Sequence, residues 1–266
     1  MPDQIPGKVS FQMLLTIDIG NTNITLGVHR GEELVTAWRL ATDHERLPDE
    51  YGLQLLGLLQ HDNLQASDIK GAAMASVVPP LTGVFHDACT NYIGQQPLVI
   101  DAGVKTGVRI RIEDPKSVGA DRVADAAAVI NLHGGPACVV DFGTATTFDV
   151  ISEEGDYLGG AIAPGIAISA EALTRRTAKL PRVDLIRPPS VIGRSTVQAM
   201  QSGLIYGYVG LVEGIVARIR HELGKQMKVI ATGGLSSLIA RETDVIQILA
   251  PWLTLEGVRI IWQMNQ

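Results

Sequence analysis

Asp18-Ile19-Gly20-Asn21-Thr22-Asn23 closes an apolar run, residues 14–19 (LLTIDI), and opens a second one, residues 24–28. After His29-Arg30-Gly31-Glu32 a third run covers residues 34–40, so the stretch reads as a three-stranded meander. Residues 137–142 (ACVVDF) repeat the design. They are followed by Gly143-Thr144-Ala145-Thr146, a run over 147–151, the turn Glu153-Glu154-Gly155-Asp156 and a run over 157–163. Setting Asp18 on Asp141, an offset of 123 residues, brings Ile17 onto Val140 and Gly20 onto Gly143. The chain therefore reads as two related halves, each opening with strand-Asp-x-Gly-x-x-strand. A carboxylate at a strand end suits a hydrated Mg²⁺. The glycine lets a phosphate approach the backbone, and Asn and Thr side chains donate to its oxygens. A single copy is equally an ordinary hairpin turn, in which Asn and Gly are common. Two copies in two halves favour a pair of turns that face each other across a cleft and hold one polyphosphate.

The 266 residues suit two modest domains, long enough to bury full cores without disulfides. A hydrophobic fraction of 46% against 19% charged excludes intrinsic disorder. Between the meanders, residues 51–60 read as a helix, 70–78 as a buried strand, 81–93 as a helix and 97–100 as a short strand. Ser117 reads as the cap of a helix running through Asn131. In the second half, 166–174 and 196–223 read as helices and 228–231 as a strand ending in Thr232-Gly233-Gly234. Strands then helices, twice over, argue two α/β domains around a cleft.

A net charge of −6 and no basic stripe argue against nucleic-acid binding. Cys89 and Cys138 form no C-x-x-C pair and read as reduced, buried thiols of a cytoplasmic protein. The six histidines lack metal-ligand spacing. Neither G-x-x-x-x-G-K-[ST] nor G-x-G-x-x-G occurs, so a nucleotide site is of another kind. A further constellation is Pro115-Lys116-Ser117-Val118-Gly119-Ala120-Asp121-Arg122. At a helix start Asp121 points into the cleft in a field of partial positive charge, and Arg122 can fix an anionic or polar group. Taken alone it is also an ordinary acidic first turn beside a solvated arginine.

With Gly233-Gly234 after a third strand, where a base can lie on bare backbone, the two Asp turns resemble the phosphate and adenosine loops of the actin-like ATPase and sugar-kinase superfamily. D-x-G-N-T, G-A-D-R, D-F-G-T-A-T-T-F-D and G-G-A-I-x-P-G (from Gly159) together resemble type III pantothenate kinase, over about residues 13–262. The resemblance implies two duplicated actin-like (ribonuclease H-like) α/β domains, each a mixed five-stranded sheet with flanking helices, around a central cleft. The domains are drawn at 13–117 and 118–266, with a flexible extension at 1–12. It implies ATP-dependent phosphorylation of pantothenate to 4'-phosphopantothenate, the first step of coenzyme A biosynthesis. Asp121 falls on the proposed general base, and Gly119, Ala120, Asp121 and Arg122 on the pantothenate site. Asp18, Ile19, Gly20, Asn21, Thr22, Asn23, Ile24 and Thr25 match the ATP phosphate loop, Thr144 an ATP contact, and Gly233 and Gly234 the adenosine loop. Asp141 matches the ligand of a monovalent cation (K⁺ or NH₄⁺), and Asp18 serves Mg²⁺. Thr196 matches a threonine that reaches pantothenate from a partner subunit. Ile112 stands where the family often has a tyrosine in the substrate wall, which keeps an apolar surface and loses a hydroxyl. Two other readings are a non-catalytic actin-like regulator and a kinase for another small alcohol. Intact Asp18, Asp121 and Asp141 weigh against the first, whereas Ile112 keeps the second open.

Residues 195–212 carry no charge, yet three Gly, two Ser, two Gln and a Thr make the stretch too polar for a membrane span. Gly203, Gly207 and Gly210 line one face of it if helical, which suits close approach by a second copy. A homodimer with shared active sites is the expectation. The basic stretch from Arg175 to Arg187 reads as a solvated loop and the three Trp as packing residues. Residues 1–12 contain no apolar signal stretch.

Overall fold

The structure, a computed structural model, describes residues 12–266. The extension expected at 1–12 lies outside the described residues, apart from Gln12. The described chain falls into two compact units, one reaching to Val104 and including Ile261–Gln266, the other Lys105–Ile260.

In the first unit β1 (Met13–Ile19), β2 (Asn23–Arg30) and β3 (Glu33–Ala41) form the expected antiparallel meander. Then come α1 (Pro48–His61), β4 (Ile69–Ser76), α2 (Pro79–Ala88) and β5 (Leu98–Val99). The sheet order is β3-β2-β1-β4-β5, with β4 parallel to both β1 and β5. Pro48 suits a first turn, where its missing N–H costs no helical bond. Glu50 Oε2 accepts from the Leu47 N–H at 2.9 Å and fixes the start of α1. Leu55 and Leu59, one turn apart, enter a core with Leu15, Ile17 and Phe85. The expected helix over 81–93 changes character at Cys89: residues Cys89–Ile93 form a π-helical turn, ended by Gly94 in the left-handed region (φ 76°). Gly71 has no side chain because Trp262 lies there; a Cβ would sit 2.5 Å from its ring.

The second unit begins with β6 (Arg109–Ile110), α3 (Ala120–Leu132), β7 (Ala137–Phe142), β8 (Ala145–Ile151) and β9 (Asp156–Pro164). It continues with α4 (Ile166–Arg176), α5 (Thr196–Leu223), β10 (Lys228–Thr232), α6 (Ser236–Ala240) and β11 (Ile248–Leu249). The last helix is α7 (Leu253–Gln263), whose residues from Ile261 on group with the first unit. The sheet order is β11-β10-β7-β8-β9-β6. Read from β9 to β11 it repeats the order of the first sheet strand for strand, as the duplicated sequence requires. Alternation along β7 sends Cys138 and Val140 to a core shared with α5, and Val139 to one shared with α3. Helices thus cover both faces. Both cysteines are free and buried, and burial pushes each thiol up to about 12.

Two expectations change. The second sheet has six strands rather than five, because β6 pairs parallel with β9 through Arg109↔Asp156 and Ile110↔Tyr157. Residues 105–117, drawn with the first domain, group with the second unit. The helix expected to start at Ser117 starts at Ala120 with Gly119 at its cap position. Ser117 instead ends a short 3₁₀ turn, Pro115–Ser117, and donates to the Asp114 carbonyl at 2.7 Å.

Candidate active site

The first phosphate-loop candidate is the β1–β2 turn. Gly20 N–H donates to the Asn23 carbonyl at 3.0 Å, and Thr42 holds the turn from β3's end, its hydroxyl on the Gly20 carbonyl at 2.6 Å and its N–H on that of Thr22 at 3.0 Å. Asn21, Thr22 and Asn23 stand exposed at the tip. Asp18 is half-buried opposite Thr25, while Ile19 and Ile24 beside them are buried and anchor the hairpin.

The second candidate is the β7–β8 turn. Gly143 N–H donates to the Ala145 carbonyl at 3.0 Å, and Gly165 N–H to the Thr144 carbonyl at 3.1 Å. The Thr144 side chain is exposed. Asp141 pairs with Thr147 on one side and Thr232 on the other. Gly233, expected at a nucleotide base, also walls Asp141: at φ 88° its missing Cβ would lie 2.3 Å from Oδ1. Gly234 faces open space and is exposed.

Asp121 occupies the first turn of α3, and its Oδ1 accepts from the Arg122 backbone N–H at 2.8 Å. Its carboxyl sits above the ordinary range because burial and the Asp149 charge outweigh that hydrogen bond and the Arg122 charge. Asp141 is pushed up to about 7, first by desolvation and then by the charges of Asp121 and Asp149. Asp125, one turn along α3, is 2% exposed and receives a hydrogen bond from Thr254 at 2.8 Å. Desolvation and the Asp141 charge raise it well above a usual carboxyl. Four carboxyls of the second unit thus share one electrostatic neighbourhood, and the cation among them is Arg122, bound to Asp149.

Among the described residues no three His, Cys, Asp or Glu side chains form a metal-binding group. Asp141 nonetheless fits a singly charged cation: among the described residues its carboxylate has no hydrogen bond or ion pair, burial and negative neighbours raise it, and Gly233 brings no side chain against it.

Gly119 and Ala120 lead into α3 and are half-buried. Ile112 is half-buried against the α3-side core, 3.3 Å from where a Gly159 Cβ would stand. Thr196 is exposed in the first turn of α5, where Ser195 caps the helix by accepting from the Gln198 N–H at 3.3 Å. Within the second unit the structure brings together Asp121, Arg122 and Asp141, and sets Gly233 against Asp141. Thr196 shows no hydrogen bond to this group. Sequence reasoning missed Asp149 and Tyr157, which hold Arg122. The only signal was the final Asp of D-F-G-T-A-T-T-F-D.

The family model for type III pantothenate kinase matches residues 14–218. A type III pantothenate kinase of Moorella thermoacetica is 55% identical, covering 95% of this chain and 100% of its own. One from a Roseiflexus species is 53% identical over 96% and 100% of the two chains. Among solved structures, a putative Baf family transcriptional activator from Campylobacter jejuni aligns with TM-score 0.60 at 22% identity, covering 94% of this chain and 98% of its own. A putative N-acetylmannosamine kinase from Listeria monocytogenes aligns with TM-score 0.52 at 11% identity, covering 96% and 100%. At such identities the structural likenesses speak for the fold alone, two mixed sheets with flanking helices.

Proposed function

The chain belongs to the type III pantothenate kinase family and phosphorylates pantothenate with ATP for coenzyme A biosynthesis, and from that premise we propose which of its residues carry the reaction. Asp121 is the general base. The observation that carries this is its place in the first turn of α3, half-buried, with a carboxyl more basic than usual. Such a carboxylate accepts the proton of the primary hydroxyl as that oxygen forms its bond to the γ-phosphorus, the bond to the β-phosphate oxygen breaks, and ADP leaves. Arg122 binds the pantothenate carboxylate, and Gly119, Ala120 and Ile112 line the acceptor's site.

The exposed tip Asn21-Thr22-Asn23 and the Thr144 turn supply donors to ATP phosphates, and Gly233-Gly234 a bare backbone for the base. Asp18 is the residue for Mg²⁺ and Asp141 for a monovalent cation, K⁺ or NH₄⁺. When bound, these ions offset phosphate charge. Thr196 completes the pantothenate site of a partner subunit in a homodimer. The exposed Gly203, Gly207 and Gly210, with open space over each, leave an approach surface on α5. α5 is long and apolar enough to cross a membrane by length and composition, with a mean hydropathy of 1.2. Its inner residues Ile205, Val212 and Val216 are buried in the second unit's core, which supports a core helix of a cytoplasmic enzyme.

ADP release measured over a panel of small alcohols, with and without K⁺, tests this reading. Release with pantothenate, stimulated by K⁺ and blunted in its K⁺ response by Asp141→Asn, is the expected result. An unchanged K⁺ response in Asp141→Asn puts the cation elsewhere.

A further inference from the structure

Asp149 lies on β8 with 1% of its side chain exposed, and its partners are all polar. Arg122 Nε reaches its Oδ1 at 2.7 Å and Arg122 Nη2 the same oxygen at 2.6 Å. The Tyr157 hydroxyl donates to Oδ1 at 2.7 Å, and the Thr147 hydroxyl to Oδ2 at 3.0 Å. The Arg122 guanidinium also lies 5.7 Å from the centroid of the Tyr157 ring. The cation is therefore held by a carboxylate and by a ring, and the carboxylate is itself held by two hydroxyls. Burial alone would lower Arg122, but the hydrogen bond and charge of Asp149 leave it above its ordinary value.

The backbone builds this arrangement. Asp149 pairs with Gly160, where a Cβ would fall 1.5 Å from the Phe148 carbonyl oxygen, so β9 passes β8 closely at that point. The register then shifts: Val150 pairs with Gly159 but Ile151 pairs with Tyr157, skipping Leu158. In regular alternation Leu158 would share the face of Gly160, and with it that of Asp149. The bulge replaces Leu158 with Tyr157 on that face, as bulges re-aim side chains. Leu158 is left 39% exposed while Tyr157 is 1% exposed.

The Arg122 side chain keeps 19% of its surface open, and the N–H groups of its fork that do not meet Asp149 have no partner among the described residues. Asp121 and Arg122 are consecutive on α3, so their side chains leave the helix about 100° apart. That divergence suits an acceptor with a hydroxyl at one end and a carboxylate at the other. We propose that Asp149 is a positioning residue: with Tyr157 and Thr147 it fixes the guanidinium of Arg122 so that the remaining N–H groups meet the carboxylate of pantothenate. The proposal rests on the assignment of Arg122 to that carboxylate.

The test compares pantothenate with pantothenol, the neutral analogue that carries a hydroxymethyl group in place of the carboxylate. KM and kcat are measured for each, with pantothenol read as a competitive inhibitor where its turnover is too slow. A charge-assisted hydrogen-bonding site lost from binding is worth roughly a tenfold or greater effect. Arg122→Gln should raise the KM for pantothenate by about that factor and leave the constant for pantothenol within about twofold. Asp149→Asn keeps the shape and an acceptor oxygen, and should reproduce the selective loss with the KM for ATP unchanged. Equal loss on both acceptors in Asp149→Asn, or none, while Arg122→Gln is selective, overturns the proposal and leaves the Arg122 assignment standing. Equal loss on both in Arg122→Gln overturns the assignment itself. If Asp149→Asn does not fold, Tyr157→Phe decides: a selective rise of about threefold supports positioning, and an equal response on both acceptors refutes it.

Discussion

Asp121 and Asp125 stand one turn apart in α3, and burial raises both, with opposite consequences for activity and stability. A base must be ionised to accept a proton, so kcat/KM should fall on the acid side of a limb displaced above the ordinary carboxylate range. Asp121→Asn should lower turnover by at least about 10²-fold and abolish that limb, with the fold intact; near-normal turnover would remove Asp121 from the base role. For Asp125 the sign runs through folding. Its carboxyl holds a proton in the folded chain where the unfolded chain has already lost it. Its stabilising share is present below the unfolded value and is lost as pH rises through the raised folded one. Asp125→Asn, whose amide oxygen still accepts from Thr254, should therefore gain on the parent as pH is raised from 5 to 8. Each unit of separation is worth about 1.4 kcal/mol, and about 1 kcal/mol moves a melting temperature by roughly 2–4 °C. Thermal melts at the two pH values check it, and parallel changes in both proteins would count against it. The places of Asp18 and Asp141 near strand ends, and of Asp121 in a helix's first turn, were legible in the sequence from the apolar runs and the turn residues beside them. Asp149 was not, since its task depends on which face Tyr157 reaches, and a bulge sets that.

At the scale of elements, the meanders and α5 follow from apolar runs broken by Gly, Asn and Glu turns, and α5 spans Thr196–Leu223 as its composition predicts. The two-residue strand β6 escaped because so short a run has no periodicity. It pairs with β9, and Arg109 and the adjoining Arg111 bind Asp156 at 2.6 and 3.0 Å. Ser117 misled because a serine ahead of a helix usually caps it, whereas here a 3₁₀ turn intervenes. Two adjacent glycines at the end of β10 make a prediction at this scale. Gly233→Ala places a Cβ against Asp141 in a left-handed backbone and should cost about 2 kcal/mol or more, with a weakened K⁺ response. Gly234→Ala meets open space and should leave the melting temperature unchanged; on the proposal that the base lies on this backbone it should raise the KM for ATP. Equal melting losses in the two variants would contradict the packing of Gly233 on Asp141.

For the whole molecule, the homodimer reading predicts a sedimentation mass near twice 28.4 kDa, about 57 kDa. A helix face with three exposed glycines and the neighbouring Val197, 41% exposed, is a surface that two copies can share about a two-fold axis. Mixing inactive Asp121→Asn with inactive Thr196→Arg should restore part of the activity, because a mixed dimer holds one site with both residues intact. A fully active monomer in the centrifuge would end the shared-site reading. The duplication was legible at this scale, and the repeated strand order bears it out. Where the chain passes from one unit to the other was not, because that depends on which sheet a two-residue strand joins.

The seat of Trp262 over Gly71 has a consequence for how the protein is made. The first unit leaves the ribosome early, yet the residues that fill its sheet at Gly71 come only after the whole of Lys105–Ile260 has been translated. Domains usually fold as they emerge, the N-terminal one first. Here the earlier unit lacks the cover that Trp262 gives Gly71 until the later unit has been synthesised and residues 261–266 arrive. A chain interrupted at Ile260 leaves two units of which the older is the incomplete one.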